Sequence, residues 1–527
     1  MKHFRIIDAL LLASWIMALT CCSKKDEIGK PVVTTGSVST ITPTSASVIG
    51  IITSNGGATI TDAGICYATT QNPTTKNDFT QEKVTSGSFI SVLSNLQPST
   101  RYYVRAYAIN SVGTTYGSTV NLLTLNIPAI LITETPTKIT TTTAQTGGTI
   151  ISVGSNPIIA KGVCYADWSQ QPTINSLTTN EGAGEGSFIT MLTGLDPTTT
   201  YKIRAYVTTQ LGTSYGEVLT FSTYGTPKVT GGSVSDVTDI TATVSGTVSS
   251  DGGATVTDRG ICWSTSPNPT ISNNKAAGSA GTGLISVGIS GLASGNEYYA
   301  RIYAVNEWGP SYGTQISFVT GMRDFDNNLY ACVKIGSQIW TKENLKVIHY
   351  RNGDAIPNVT DNAAWAALES TGLDAYCWYN NDINNKDIYG ALYNWYTVNN
   401  NRGIAPLGWH VASDADVDVL SSYLGGDISI FGNNISAGGK LKETGTAHWN
   451  SDNLGATNET GFTALGSGYR HDYYGTFDCL KIGGDWWTST SNEDLYARYY
   501  EVDCGDIMLD RAAYFKGTGM SIRLVKD

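Results

Sequence analysis

Three stretches of the chain share one pattern of apolar and polar positions. Short alternating runs rich in Val, Ile, Thr and Tyr are separated by turns of Gly, Pro, Asn and Asp, the signature of half-buried β-strands. Three markers recur within the pattern. Gly64-Ile65-Cys66-Tyr67 returns as Gly162-Val163-Cys164-Tyr165 and Gly260-Ile261-Cys262-Trp263, 98 residues apart each time. Tyr102-Tyr103-Val104-Arg105-Ala106-Tyr107 returns as Tyr201-Lys202-Ile203-Arg204-Ala205-Tyr206 and Tyr298-Tyr299-Ala300-Arg301-Ile302-Tyr303. The third marker is Tyr116-Gly117, Tyr215-Gly216 and Tyr312-Gly313. Three markers in one order at one period identify internal repeats.

The alternation assigns faces. Tyr102, Val104, Ala106 and Ala108 point to the core; Tyr103, Arg105 and Tyr107 point outward. A Tyr–Arg–Tyr stripe can stack a ligand, but more often it covers a sheet with cross-strand pairs, and that is the reading taken here. Each repeat holds one cysteine, which cannot pair internally. Cys66, Cys164 and Cys262 are therefore expected as small buried thiols.

The turns before the second marker, Leu96-Gln97-Pro98-Ser99-Thr100-Arg101-Tyr102 and Leu195-Asp196-Pro197-Thr198-Thr199-Thr200-Tyr201, resemble the tyrosine corner of fibronectin type III and related immunoglobulin-like domains. Repeat three departs from it, with Leu292-Ala293-Ser294-Gly295 lacking the proline. The resemblance implies three tandem all-β two-sheet sandwiches over residues 31–126, 127–225 and 226–320. Their short linkers imply end-to-end stacking, a reach on the order of 100 Å at about 3.3 Å per strand residue.

The chain opens differently. A basic start precedes an apolar run over residues 6–20, too short for a membrane span, as in a secretory signal over residues 1–21. Leu19-Thr20-Cys21-Cys22 resembles a bacterial lipoprotein box, with Cys22 the expected acylated residue. Residues 22–30 then read as a flexible tether. Lys24-Lys25-Asp26-Glu27 resembles the signal that sends Bacteroidetes lipoproteins to the outer face of the outer membrane. Multiple acyl chains on one cysteine anchor durably. The expected location is the cell outer membrane, lipid-anchored and facing the exterior. A net charge of −11 and a pI near 5.0 leave no basic face for nucleic acid.

From about Met322 the texture changes, and 8 of the 12 tryptophans follow. Residues 413–424 form the clearest helix: Ser413 caps it, Asp414 and Asp416 sit at its positive end, and Val417, Leu420 and Leu424 make one apolar face. Gly425-Gly426 ends it. A second short helix is expected over residues 363–370. His349, His410, His448 and His471 show no zinc spacing.

Five segments here resemble the Fibrobacter succinogenes major paralogous domain, found in surface proteins of Bacteroidetes and Fibrobacteres. They are Gln338-Ile339-Trp340-Thr341-Lys342-Glu343-Asn344-Leu345 after Tyr330-Ala331-Cys332, Tyr389-Gly390-Ala391-Leu392-Tyr393-Asn394-Trp395-Tyr396, Pro406-Leu407-Gly408-Trp409-His410-Val411, Trp486-Trp487-Thr488-Ser489-Thr490, and Ser521-Ile522-Arg523-Leu524-Val525. The resemblance implies an α+β C-type-lectin-like domain over residues 321–527. Relatives carry cysteines where this chain has Ala405 and Leu524, which implies an apolar pair in place of a disulfide. Cys332, Cys377, Cys479 and Cys504 remain, with three possible pairings.

Two candidate sites follow. Trp409, Trp486 and Trp487 are candidates for stacking on sugar rings, although core packing is the commoner role of such residues. Asp324, Asp326 and Asp382 lie in acidic, Asn-rich loops that offer oxygen ligands to calcium, though neither loop has EF-hand spacing. No catalytic motif is present. The expected function is presentation of a lectin-like domain that binds a glycan or a surface protein. The alternatives are a structural component of the envelope and, less favoured, an enzyme accessory in glycan processing.

Overall fold

The computed structural model describes residues 27–426 and 432–527, so the signal segment and Cys22 lie outside the described residues. The molecule is mostly antiparallel sheet with few helices. Two compact units divide it, one holding the first two sandwiches and the other the third sandwich with the C-terminal region.

In repeat one, the strands β1 (Val32–Ser39), β2 (Ala46–Ser54) and β5 (Gly87–Leu93) form one sheet in the order β1-β2-β5. The facing sheet runs β4-β3-β6-β7, with β3 Asp62–Ala68, β4 Asp78–Phe79, β6 Arg101–Asn110 and β7 Gly113–Tyr116; β8, Val120–Leu123, also pairs with β6. Repeats two and three repeat this strand order, the two-sheet sandwich of immunoglobulin-like folds. Val48, Ile65, Val104, Ala106 and Leu93 close its core.

Cys66, Cys164 and Cys262 are buried free thiols. The Cys66 Sγ–H donates toward Pro73 O and Arg105 O, and burial pushes its pKa up to about 11. Arg105 is half-buried and stacks on Tyr116 at 4.8 Å, its Nε donating to Gly117 O. Arg204 on Tyr215 and Arg301 on Tyr312 repeat the stack. The arginine and the Tyr–Gly marker are thus one structural pair.

Two expectations change. Tyr107 was placed on the outer face by alternation, yet it is fully buried, and Tyr303 with it. Edge strand β4 covers the ring, and the hydroxyl donates to Asp62 Oδ2 and Thr80 O. Repeat three keeps its tyrosine corner without the proline: Ala293 N donates to Tyr298 Oη at 2.9 Å, as Gln97 N does to Tyr102 Oη at 3.0 Å. The tether is also partly held, because Asn110 Nδ2 donates to Gly29 O.

The C-terminal region is built from small sheets around two adjoining cores. Strand Gln338–Thr341 pairs with Leu524–Lys526, which pairs in turn with Trp409–Val411. The helix Asp414–Leu424 forms as expected, with a full capping box between Ser413 and Asp416 and Gly425 in the left-handed region at φ 67°. The second helical stretch is two short helices, Asn362–Ala366 and Leu368–Thr371. Ala405 and Leu524 both lie in one core. Cys332, Cys377, Cys479 and Cys504 are all free thiols. Within this unit Lys334 pairs with Glu297 at 2.6 Å, and Lys526 Nζ donates to Gly295 O, tying the region to the third sandwich. No helix among the described residues is long and apolar enough to cross a membrane.

Candidate functional site

The candidate tryptophans take the commoner of their two roles and pack in the core. Trp486 and Trp487 are fully enclosed and Trp409 is 6% exposed. The Trp486 indole donates to Asn344 Oδ1 and stacks on Tyr500, while Trp487 donates to Tyr393 O. Neighbouring residues on a strand face opposite ways, so the Trp486-Trp487 pair serves the two cores on either side of its sheet rather than one open groove. Neither ring leaves a face for a sugar.

The calcium candidates are likewise engaged within the fold. Asp324 accepts from Asn328 N, Asn328 Nδ2 and Tyr330 Oη. Asp326 accepts from Ile348 N and contacts His349 Nδ1 at 2.5 Å. Asp382 caps a turn by accepting from Asn384 N and Nδ2. Protein groups engage both oxygens of Asp324 and Asp326 and one oxygen of Asp382. Among the described residues no three His, Cys, Asp or Glu side chains gather as a metal-binding group.

A different place stands out. The strand Gly483–Ser491 pairs with Tyr496–Asp503, which pairs with Asp510–Phe515. The register sets Gly483 opposite Asp503, Asp485 opposite Glu501, and Trp487 opposite Tyr499. It also sets Glu501 opposite Asp510. Directly opposed residues share a face, so Asp485, Glu501, Asp503 and Asp510 all project from one side of the sheet. Like charges so placed repel.

This acidic end floors a cavity of about 240 Å³. Tyr469, Tyr499, Tyr514, Cys479 and Met520 complete its lining, and no Lys or Arg contributes. Asp485 is 4% exposed, and its Oδ2 has no hydrogen-bond partner. Asp510 Oδ1 is a second buried carboxylate oxygen without one. Gly483 leaves the space open: a Cβ there would stand 3.4 Å from Asp485 Oδ2 and 3.8 Å from Glu501 Oε1.

Burial, with Glu501 and Asp503 beside it, holds the Asp485 carboxyl well above the usual carboxylate range. Glu501 is raised too, by burial and by Asp510, Asp503 and Asp506, although the Tyr499 hydroxyl donates to it at 3.2 Å. Burial and the surrounding carboxylates push the Cys479 thiol up to about 11, so it is a poor nucleophile. Lys442 lies beyond the turn at Asp503–Asp506, but its Nζ donates to the carbonyls of Leu454, Asp503 and Asp506. The acidic face thus has aromatic walls and no basic side chain in its lining.

These residues escaped sequence reasoning because Asp485 sits beside two tryptophans and Glu501 lies 16 residues further on. The available signal was the alternation Gly483, Asp485, Trp487 against Tyr499, Glu501, Asp503.

Residues 333–526 match the family model described as the Fibrobacter succinogenes major domain. The cavity lies inside this span. No curated protein matches the chain. Among matching solved structures is the crystal structure of chicken CNTN1 FN1-FN3 domains, at 14% identity, covering 55% of this chain and 98% of that one, with a TM-score of 0.18. The sandwich fold of the repeats rests on their own strand order.

Proposed function

We propose that this chain is an exported surface protein, lipid-anchored at Cys22 on the outer face of the outer membrane, whose C-terminal domain binds a ligand while three sandwiches hold it clear of the membrane. The observation that carries the binding role is Asp485, a buried carboxylate left without a partner in an open-ended cavity. Folding leaves a buried polar atom unpaired only at a cost, and such atoms are usual where a ligand supplies the missing partner. The C-terminal domain is read as residues 321–527 with a C-type-lectin-like fold. Pairing between its early strand Gln338–Thr341 and its last strand Leu524–Lys526 supports that reading.

A glycan array and a pull-down of surface-protein extracts, each with the wild-type chain and with D485N, test binding. Retention of a defined ligand by wild type and its loss in D485N are expected. No ligand, or an identical set for both proteins, would overturn the role. Labelled palmitate should enter wild type and C21S but not C22S, and protease added to intact cells should remove the C-terminal domain.

A hydrolytic reading has one observation in its favour, the raised Asp485–Glu501 pair, since glycosidases need one carboxyl kept protonated. Yet these two carboxyls stand side by side on one sheet face rather than across a cleft. Absence of turnover on aryl glycosides is the expected result.

A further inference from the structure

We propose that the cavity over the Gly483–Ser491 and Tyr496–Asp503 strands is a receptor for a primary ammonium group, with Asp485, Glu501 and Asp503 as its acceptors and Tyr469, Tyr499 and Tyr514 as its walls. This rests on the reading of the C-terminal domain as a ligand-binding one, and it names the chemistry of the ligand.

Charge argues first. Three carboxylates line the cavity and no basic residue does. Burial and crowding hold the Asp485 and Glu501 carboxyls towards their protonated forms; a neutral sugar would leave them so, whereas a cation favours the ionised forms and pairs with them. Shape argues second. The carboxylates do not gather tightly enough to hold a metal ion. A metal needs oxygens within about 2.6 Å, whereas an ammonium donates N–H···O bonds of about 2.7–2.9 Å and carries three donors that can diverge. Asp485 and Glu501 border the open side of Gly483, and Asp503, opposite Gly483 on the paired strand, lines the same cavity with Oδ1 already accepting from Gly505 N. A guanidinium, planar and bulkier, matches bidentate carboxylates better than three separate ones. The walls argue third. Tyrosine rings attract cations, and those lining the cavity are only partly buried. The volume of about 240 Å³ suits an ammonium on a short stem or a single amino sugar, not a chain of sugars. Finally, the unpartnered Asp485 Oδ2 faces the same open space.

An ammonium of this kind can come from a lysine side chain or from an amino sugar. Calorimetric titration of the full chain separates the two. The probes are Nα-acetyl-lysine amide with its neutral twin Nα-acetyl-norleucine amide, and glucosamine with its neutral twin N-acetylglucosamine. At least one ammonium probe should bind saturably, and its neutral twin should be at least tenfold weaker. D485N and G483A should each weaken the ammonium probe tenfold or more. G483A retains every charge and places a methyl in open space at ordinary contact distance, so its loss cannot be laid to misfolding from a lost ion. Equal binding of a neutral twin, or ammonium binding unchanged in both variants, would overturn the proposal. If no probe binds while the array or pull-down yields a ligand sensitive to D485N, the ammonium chemistry fails and the binding role stands. If neither yields anything, both fail.

Discussion

Two buried ionisable groups in the C-terminal region, on opposite sides of one sheet, show opposite treatment. Arg523 is fully buried, and its guanidinium donates to Asn344 Oδ1, Thr341 O, Phe462 O and Thr463 O while stacking over Phe462 at 4.5 Å. Asn344 in turn accepts from the Trp486 indole and donates to Tyr389 O and Ser521 Oγ. The network is saturated. Asp485, next to Trp486 in sequence, points the other way into a cavity, with Oδ2 unpartnered and two carboxylates for neighbours. Burial alone therefore says little about a charge. A saturated charge specifies the fold, whereas an unsaturated one is held ready for something else.

The contrast can be broken at its saturated end first. R523M removes five donors, takes one of two donors from Asn344 Oδ1 and leaves the carbonyls of Thr341, Phe462 and Thr463 without the guanidinium. A loss of about 3–5 kcal/mol is expected in chemical denaturation, the range for breaking a buried charged network. A neutral outcome would mean that the network is not structural. K442M is next. Lys442 is fully buried and donates to three carbonyls, so about 2–3 kcal/mol should be lost as these go unpaired. Smaller is Y298F in the third sandwich. Losing the corner hydrogen bond from Ala293 N should cost about 1 kcal/mol, and equal losses in Y298F and Y102F would show that the proline is dispensable to the corner.

Much of the fold was legible because repeats announce themselves. The three markers pointed to the strands and the buried thiols, and the cap at Ser413 with the apolar face of Val417, Leu420 and Leu424 pointed to the helix. Tyr107 was misplaced because alternation describes one strand against two faces and does not register an edge strand folding over a ring. The tryptophans were legible as core residues only by weight of habit, since composition does not separate a stacked platform from a packed one. The cavity was illegible for a related reason. Asp485, Glu501 and Asp510 become neighbours only through strand register, which no local pattern states. The acids that did catch the eye, Asp324, Asp326 and Asp382, hold their own loops.

The most direct test is calorimetric melting of wild type and D485N between pH 7 and pH 4. A carboxyl whose folded pKa is raised keeps its proton longer in the native state, so its contribution to stability falls as pH rises through the window above the unfolded value of about 3.9. Replacing Asp485 removes that penalty and offers Glu501 an amide donor. D485N is predicted to be the more stable protein at pH 7, by about 1 kcal/mol, with the difference closing as pH approaches 4. A D485N chain less stable than wild type across the whole range would mean that Asp485 holds the fold together, contradicting its role as a waiting partner for a ligand.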